Sequence, residues 1–242
     1  MTGPQVVGVH RLRRVVAALE ADRVVAVPGD GGYRLVARHG QPAASGALVA
    51  LATGRGAAPL PRPLETLVGR RSQALELAAA WNKETAMVTD RMWPGPLTVI
   101  VPAGPDAAPT GADDLEPSGA EPAVLHLSMP AWRPLRVLCR QSGPLAMAAW
   151  RSADGEPLCT AAEVVATLHD GVEGADESAG VAFVLKGVVR RGPGPTVVDC
   201  TASPPTVRRV GALPESYVEA ALLMGARKRS WFARRSRVRP TT

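Results

Sequence analysis

The stretch RMWPGPLTVIV, residues 91–101, places two prolines and a glycine between a tryptophan and a run of apolar, mostly β-branched residues. Proline fixes the backbone φ angle and removes a hydrogen-bond donor, whereas glycine reaches conformations that other residues avoid. The Trp-Pro-Gly-Pro segment therefore predicts a rigid bend that leads into a buried strand at a set angle. This strand is the point from which the rest of the fold is worked out.

Apolar patterns on both sides of this strand predict alternating helices and strands. The patterns predict helices over residues 10–22, 72–83, 133–143, 160–171 and 214–225, and further strands over residues 23–28, 123–130, 144–150, 181–187, 196–201 and 206–213. A glycine-rich turn and a short apolar stretch follow the first of these strands, and residues 45–52 fit either a helix or a strand. Alternation of this kind predicts a single α/β domain with a mixed sheet and flanking helices.

Composition separates a near-neutral body from a basic end. Seven of the 28 basic residues lie in residues 227–239, which contain no acidic residue, so the remaining chain carries 21 basic against 22 acidic residues. Crowded like charges predict disorder. The sequence therefore predicts a domain over residues 1–225, with a loop insertion at 103–122, and a disordered basic tail over residues 226–242.

The tail also predicts a partner. Trp231 and Phe232 lie among its positive charges, a combination that allows stacking on bases or insertion at a membrane surface. RNA or another polyanion is the predicted partner, and a solvated segment without a partner is the alternative. The contacts would come from Arg227, Lys228, Arg229, Trp231, Arg234 and Arg235.

Other classes of protein are disfavoured by absences in the sequence. No stretch approaches the roughly 18 apolar residues of a membrane-spanning helix, and the first residues lack the pattern of a signal peptide. We therefore expect a cytoplasmic protein. Cys139, Cys159 and Cys200 are far apart and the four histidines are scattered, so no metal site built from side chains is predicted.

Short motifs along residues 11–213 occur in an order that resembles the YrdC-like family, the threonylcarbamoyl-AMP synthases and their relatives. The motifs are VVAVPGDGGYRL, GRGAAPLPRPL, WPGPLTVIV, LHLSMP, GPLAMAAW, GPTVVDCT and VRRVGAL. The resemblance implies a twisted α/β sheet with a concave cavity that holds ATP and L-threonine. It also implies that threonine and bicarbonate are joined and the product is adenylated by ATP, usually with Mg²⁺, for tRNA modification.

The resemblance also implies candidate ligand-binding residues, and no catalytic residue is assigned. The candidates for contact with substrate or nucleotide are Asp30, Tyr33, Arg55, Thr98 and Thr196. Each has an ordinary alternative: a solvated turn for Asp30, core packing for Tyr33, a surface cation for Arg55, and strand threonines for the other two.

The sequence departs from the family pattern where the chemistry is densest. The family's Lys of Lys-x-Arg, Arg of Arg-x-Pro, and Ser and Asn of Ser-Ala-Asn are replaced by Thr53, Ser128, Ala148 and Trp150, and in the first motif two threonines and a glycine are replaced by Gly29, Gly31 and Arg34. A threonine cannot replace the charge of a lysine at a triphosphate, and Trp150 is expected to fill part of the cavity.

Three functions are compatible with this pattern. The substitutions favour a relative that binds a nucleotide or RNA with weak or no adenylation activity. An active threonylcarbamoyl-AMP synthase, a nucleotidyltransferase, is one alternative, and an interaction protein without a ligand is the other.

Overall fold

The computed structural model describes residues 4–53, 64–105, 107, 123–152, 154–169 and 180–223. Within them ten strands form one mixed sheet in the order β1-β8-β2-β3-β7-β4-β6-β5-β9-β10. The strands are β1 Gln5–Val7, β2 Val24–Gly29, β3 Gly32–Arg38, β4 Glu65–Leu67, β5 Leu97–Pro102, β6 Val124–Ser128, β7 Leu145–Ala149, β8 Val181–Leu185, β9 Thr196–Asp199 and β10 Thr206–Arg209. The predicted α/β fold with a twisted mixed sheet is confirmed.

Helices cover parts of both faces of this sheet. They are α1 Leu12–Glu20, α2 Pro42–Thr53, α3 Arg71–Leu77, α4 Lys83–Met92, α5 Arg133–Ser142, α6 Ala161–His169 and α7, residues 215–223. Helices α1 and α5 contribute to one buried apolar cluster, and α2 and α6 contribute to another on strands β2, β3 and β7. None of the helices in the described ranges is long and apolar enough to cross a lipid bilayer.

The predicted helix over residues 72–83 ends early, at Leu77, and a second helix that was not predicted, α4, follows it. Helix α3 ends at Leu77 because Ala78 adopts an extended conformation and forms a β-bridge with Ala103. Helix α4 then begins after Asn82, whose side-chain oxygen accepts hydrogen bonds from the backbone N–H and the hydroxyl of Thr85, both at 2.7 Å. An Asn N-cap satisfies a free backbone donor of the first turn, and the apolar spacing alone did not reveal this second start.

The Trp-Pro-Gly-Pro segment forms the predicted bend between α4 and β5. The Trp93–Pro94 peptide bond is cis, and the backbone N–H of Gly95 donates to the carbonyl oxygen of Met129 at 3.0 Å. A Cβ atom at position 95 would collide with the carbonyl oxygen of Met92, so only glycine fits this turn. The bend fixes the entry of β5 into the sheet, beside β6 and β9.

Acid should weaken the fold through His39, a partly buried residue at the end of β3. Burial lowers the pKa of its imidazole to about 4, against about 6.5 in an unfolded chain. The unfolded state therefore binds a proton first as the pH falls from 6.5 to 4, and the folded state loses up to about 3 kcal/mol over that window. We expect His39→Gln to lose less stability than the wild type between pH 7 and pH 4.5 in urea unfolding, and equal losses would contradict this assignment.

Candidate functional site

A cavity of about 510 Å³ lies at one edge of the sheet, where several strands begin or end. The β2–β3 turn, the residues after β7 and β8, the end of β10 and the start of α5 all contribute to its walls. Loops at strand ends are common positions for ligand sites, because the rigid sheet fixes their geometry. The resemblance implies a ligand cavity, and this cavity is the candidate for it.

The β2–β3 turn is held against two other segments that border the cavity. Gly31 has a φ of +80°, and its backbone N–H donates to the carbonyl oxygen of Arg190 at 2.8 Å. Gly32 has a φ of +146°, and an added Cβ there would lie 3.1 Å from the Cβ atom of Pro157. Both conformations favour glycine, which explains why the family's second threonine position, residue 31, carries no side chain here.

Four arginines line the cavity: Arg34, Arg151, Arg190 and Arg209. Three of them donate hydrogen bonds to backbone carbonyl oxygens: Arg34 Nη2 to Asp30 at 2.6 Å, Arg151 Nη1 to Gly155 at 2.8 Å and Arg209 Nη2 to Pro195 at 3.0 Å. Within the part of the chain that the structure describes, none of the four forms an ion pair with a carboxylate. Their charges therefore remain available to an anion.

Two carboxylates also border the cavity, those of Asp30 and Glu65. Thr98 Oγ1 donates a hydrogen bond to Glu65 Oε1 at 2.9 Å. Burial lowers the pKa of the Arg34 guanidinium, and both carboxylates act against that shift. The described lining therefore carries two more positive than negative side chains.

The cavity lining also contains apolar residues. They include Pro130, Ala131, Trp132, Leu135 and Val188. Gly187 allows a close approach here, since an added Cβ would lie 2.7 Å from the Trp132 ring. The lining thus includes both guanidinium groups and an indole ring.

Asp30 lines the cavity, whereas Tyr33 does not. The side chain of Tyr33 is fully buried in the core, and its hydroxyl donates to the carbonyl oxygen of Leu185 at 3.2 Å. Burial raises the pKa of this hydroxyl. Tyr33 is therefore a packed core residue, which is the alternative to ligand contact given for it from the sequence.

Thr98 and Thr196 are both buried, and neither side chain lines the cavity. Thr98 holds Glu65, as described. The Thr196 hydroxyl donates to the carbonyl oxygen of Leu213 at 2.6 Å and accepts from the backbone N–H groups of Gly211 and Leu213 at 2.9 and 3.0 Å. Its contacts attach the segment after β10 to the sheet. Arg55, most of the loop at 103–122 and the whole basic tail lie outside the described residues.

The substituted family positions divide into two groups. Ser128 and Ala148 border the cavity, where they replace an arginine and a serine of the family pattern, and Ala148 is 2% exposed and also packs in the apolar core. Thr53 ends α2, where its hydroxyl donates to the carbonyl oxygen of Val49 at 2.8 Å, and does not line the cavity. The expected filling of the cavity by Trp150 is wrong, because its indole is 2% exposed and packs in the core with residues of α2 and α6.

Sequence reasoning missed the four arginines and Glu65 as a group. The sequence pattern identifies Arg34 only as the replacement of a family glycine, and it includes Arg209 only as part of the motif VRRVGAL. A usable signal was present for three of them, since Arg209 ends a strand and Arg151 and Arg190 lie in segments that follow a strand. Glu65 lies in a three-residue strand that no periodicity revealed.

Comparisons with known proteins agree with this architecture. The family model Sua5/YciO/YrdC, described as telomere recombination, matches residues 17–211. Threonylcarbamoyl-AMP synthase of Bacillus subtilis (strain 168) is 29% identical over 218 residues, which cover 88% of this chain and 56% of that protein. P. abyssi Sua5 complexed with L-threonine is 25% identical with a TM-score of 0.70, over 91% of this chain and 61% of that one.

A further solved structure has a similar fold and is matched over its whole length. E. coli YciO superposes with a TM-score of 0.65 at 17% identity, over 90% of this chain and 100% of YciO. By contrast, this chain spans only 56% and 61% of the length of the first two relatives.

Proposed function

The chain belongs to the Sua5/YciO/YrdC family, and on this premise we propose that its cavity binds ATP or a similar nucleotide but adenylates threonylcarbamate slowly or not at all. The relatives named threonylcarbamoyl-AMP synthase and Sua5 are longer than this chain. Their reaction is therefore one hypothesis for it, and the residues of its own cavity decide between that reaction and binding alone.

The cluster of four arginines is the observation that carries the proposal. Guanidinium groups bind phosphate through charge-assisted hydrogen bonds, often two at a time. The groups of Arg151, Arg190 and Arg209 are on exposed residues, so a ligand can reach them. A cavity of about 510 Å³ falls in the size range of small-molecule sites.

The apolar part of the lining supports a nucleotide over inorganic phosphate alone. Trp132 offers an indole ring to a base, and bases stack on aromatic side chains. In this arrangement the base lies near Trp132 and the phosphates lie near the arginines. L-threonine, which is bound in the P. abyssi Sua5 structure, is the second proposed ligand.

Mg²⁺ fits this cavity only as a partner of the ligand. The described residues contain no group of three side chains that could hold a metal ion. Mg²⁺ usually keeps several waters and binds one or two carboxylates together with substrate phosphates. Asp30 and Glu65 are the cavity carboxylates that would contact it, and the ion would neutralise phosphate charge.

Weak adenylation follows from groups that are absent from the cavity wall. Ser128 and Ala148 stand where the family pattern has an arginine and a serine, so two donors of the family pattern are missing. Donors aimed at developing charge supply a large part of catalysis in group transfer. Binding can persist without them if the four arginines hold the phosphates.

An active synthase is the second candidate, and the same arginines favour it. Arg34 has no equivalent in the family pattern, and its charge could replace that of the missing lysine at position 53. Release of pyrophosphate separates the two candidates, because binding alone releases none.

Thermal-shift measurements with ATP, AMP, L-threonine and short RNA test the proposed binding. A ligand that binds only the folded state raises the unfolding midpoint in proportion to the logarithm of its concentration. We expect ATP to raise the midpoint more than AMP, and adenosine to have the smallest effect. If none of these ligands changes the midpoint at 1,000-fold excess, the cavity has no nucleotide function and the interaction protein is the better account.

The basic tail is proposed to bind RNA independently of the cavity. Deletion of residues 226–242 should abolish weak, sequence-tolerant RNA binding, because it removes seven positive charges with Trp231 and Phe232. For the full chain, log affinity should fall with log salt at roughly 0.7 per contacted phosphate of a single strand. Fluorescence anisotropy with a labelled oligonucleotide measures both, and equal affinity of the truncated and full chains would locate the site in the α/β body.

A further inference from the structure

Arg34 differs from the other cavity arginines because its stem lies against the backbone of the neighbouring strand. In the β2–β3 pair, Val27 is opposite Arg34 and Gly29 is opposite Gly32. A Cβ atom added at Gly29 would lie 2.8 Å from Cγ of Arg34. Real Cβ atoms essentially never approach another heavy atom closer than 3.0 Å, so this contact could not form without a displacement. The space that a side chain at position 29 would fill is therefore occupied by Arg34.

The two positions are thus coupled. Any residue larger than glycine at position 29 would displace the Arg34 stem, and Arg34 in its present conformation needs glycine there. Relative to the family pattern, a threonine is lost at position 29 and an arginine is gained at position 34. The paired change places a cation in the cavity beside the β2–β3 turn.

The guanidinium of Arg34 is also the least hydrated of the four. Arg34 is partly buried, whereas the three others are on exposed residues. Burial lowers the pKa of Arg34, the negative charges of Glu65 and Asp30 raise it, and the positive charges of Arg151 and Arg209 lower it. A guanidinium has five N–H donors and stays protonated in proteins, and the hydrogen bond to the Asp30 carbonyl accounts for one of them.

We propose that the Gly29–Arg34 pair makes Arg34 a specificity-determining residue, which binds a phosphoryl oxyanion of the ligand and selects polyphosphates over unphosphorylated nucleosides. The inference rests on the proposed function, since it assigns one part of the same cavity. An oxyanion at this point would interact with the desolvated guanidinium and relieve its repulsion with Arg151 and Arg209. Such an interaction is stronger in a poorly hydrated cavity than at an exposed arginine.

The first test compares wild type, Arg34→Gln and Arg34→Lys by titration calorimetry with ATP, inorganic pyrophosphate and adenosine. We expect Arg34→Gln to weaken ATP and pyrophosphate binding by 10- to 100-fold and to leave adenosine binding within about twofold. Arg34→Lys should lie in between, because an ammonium keeps the charge but not the planar fork. Arg13→Gln, an exposed arginine on α1 outside the cavity lining, is the matched control.

The second test uses the coupling with Gly29. Gly29→Thr should weaken pyrophosphate binding as Arg34→Gly does, because the new side chain displaces the arginine. The double variant Gly29→Thr/Arg34→Gly should bind no more weakly than either single variant, since both changes act through one side chain. Independent effects of the two changes would multiply in the double variant.

The outcomes distinguish this inference from the proposed function. If wild type binds ATP, and Arg34→Gln binds ATP and pyrophosphate as tightly as wild type does, the role of Arg34 is refuted and nucleotide binding stands. The same conclusion follows if the losses of the two single variants multiply in the double variant. If wild type binds neither ATP nor pyrophosphate, both proposals fail. A lower melting temperature of Arg34→Gln with unchanged pyrophosphate affinity would show a purely structural role and would also refute the inference.

Discussion

The full chain, supplied with ATP, L-threonine, bicarbonate and Mg²⁺, is expected to release pyrophosphate at least a hundredfold more slowly than about 1 per second, a rate at the low end of ordinary enzymes. Two donors of the family pattern are absent from the cavity wall, at Ser128 and Ala148. A charge-assisted hydrogen bond is worth roughly 1.5–3 kcal/mol, so the loss of two corresponds to about 10²- to 10⁴-fold in rate. A coupled pyrophosphatase assay measures the rate directly.

A gain of activity on restoration of the missing donor would identify the cause. Ala148→Ser should raise pyrophosphate release, whereas Ala149→Ser, at the adjacent cavity position, should not. The pair differs only in where the hydroxyl is placed. Wild-type turnover near 1 per second would show that the cavity arginines have replaced the missing groups, and the active synthase would then be the correct function.

Reversal of a cavity charge is expected to have the largest effect on ligand binding. Arg209→Glu removes a cavity guanidinium at the end of β10, which we propose binds phosphate, and adds a negative charge to the lining. We expect ATP affinity to fall at least about 100-fold, because an ionic hydrogen bond is lost and repulsion is gained. Titration calorimetry at low salt measures the change, and the effect should shrink as salt screens the charges.

Arg13→Glu provides the control for the change in net charge. It makes the same charge change on an exposed residue of α1, and Arg13 does not line the cavity. Its ATP affinity should stay within about threefold of wild type. Similar losses in both variants would mean that ATP responds to overall charge rather than to the cavity.

Most elements of the fold could be predicted from the sequence, because the longer helices and strands carry a clear periodic pattern of apolar residues. Helix α1 and strands β2, β5, β6, β7, β8, β9 and β10 lie within or near their predicted ranges. The elements that were missed include two short strands and the ten-residue helix α4. β1 and β4 have three residues each, too few for a period, and the start of α4 depends on the Asn82 cap.

The cavity was less predictable, because a linear pattern does not reveal which residues from distant strands face one another. Arg34 and Arg209 are 175 positions apart in the chain, yet both line one cavity. The motif resemblance located the correct turn at Asp30 but could not show that Tyr33 points into the core. Substitutions such as Gly29 and Arg34 acquire a meaning only when the distance between them is known.

Native mass spectrometry of the full chain incubated with ATP, L-threonine, bicarbonate and Mg²⁺ tests binding without turnover most directly. The account predicts a complex whose added mass is that of one unreacted ATP, with or without Mg²⁺ and L-threonine. The same complex should be weakened in Arg209→Glu and retained in Arg13→Glu. A complex with the mass of threonylcarbamoyl-AMP within the first few seconds of mixing, or no nucleotide complex at all, would contradict the account.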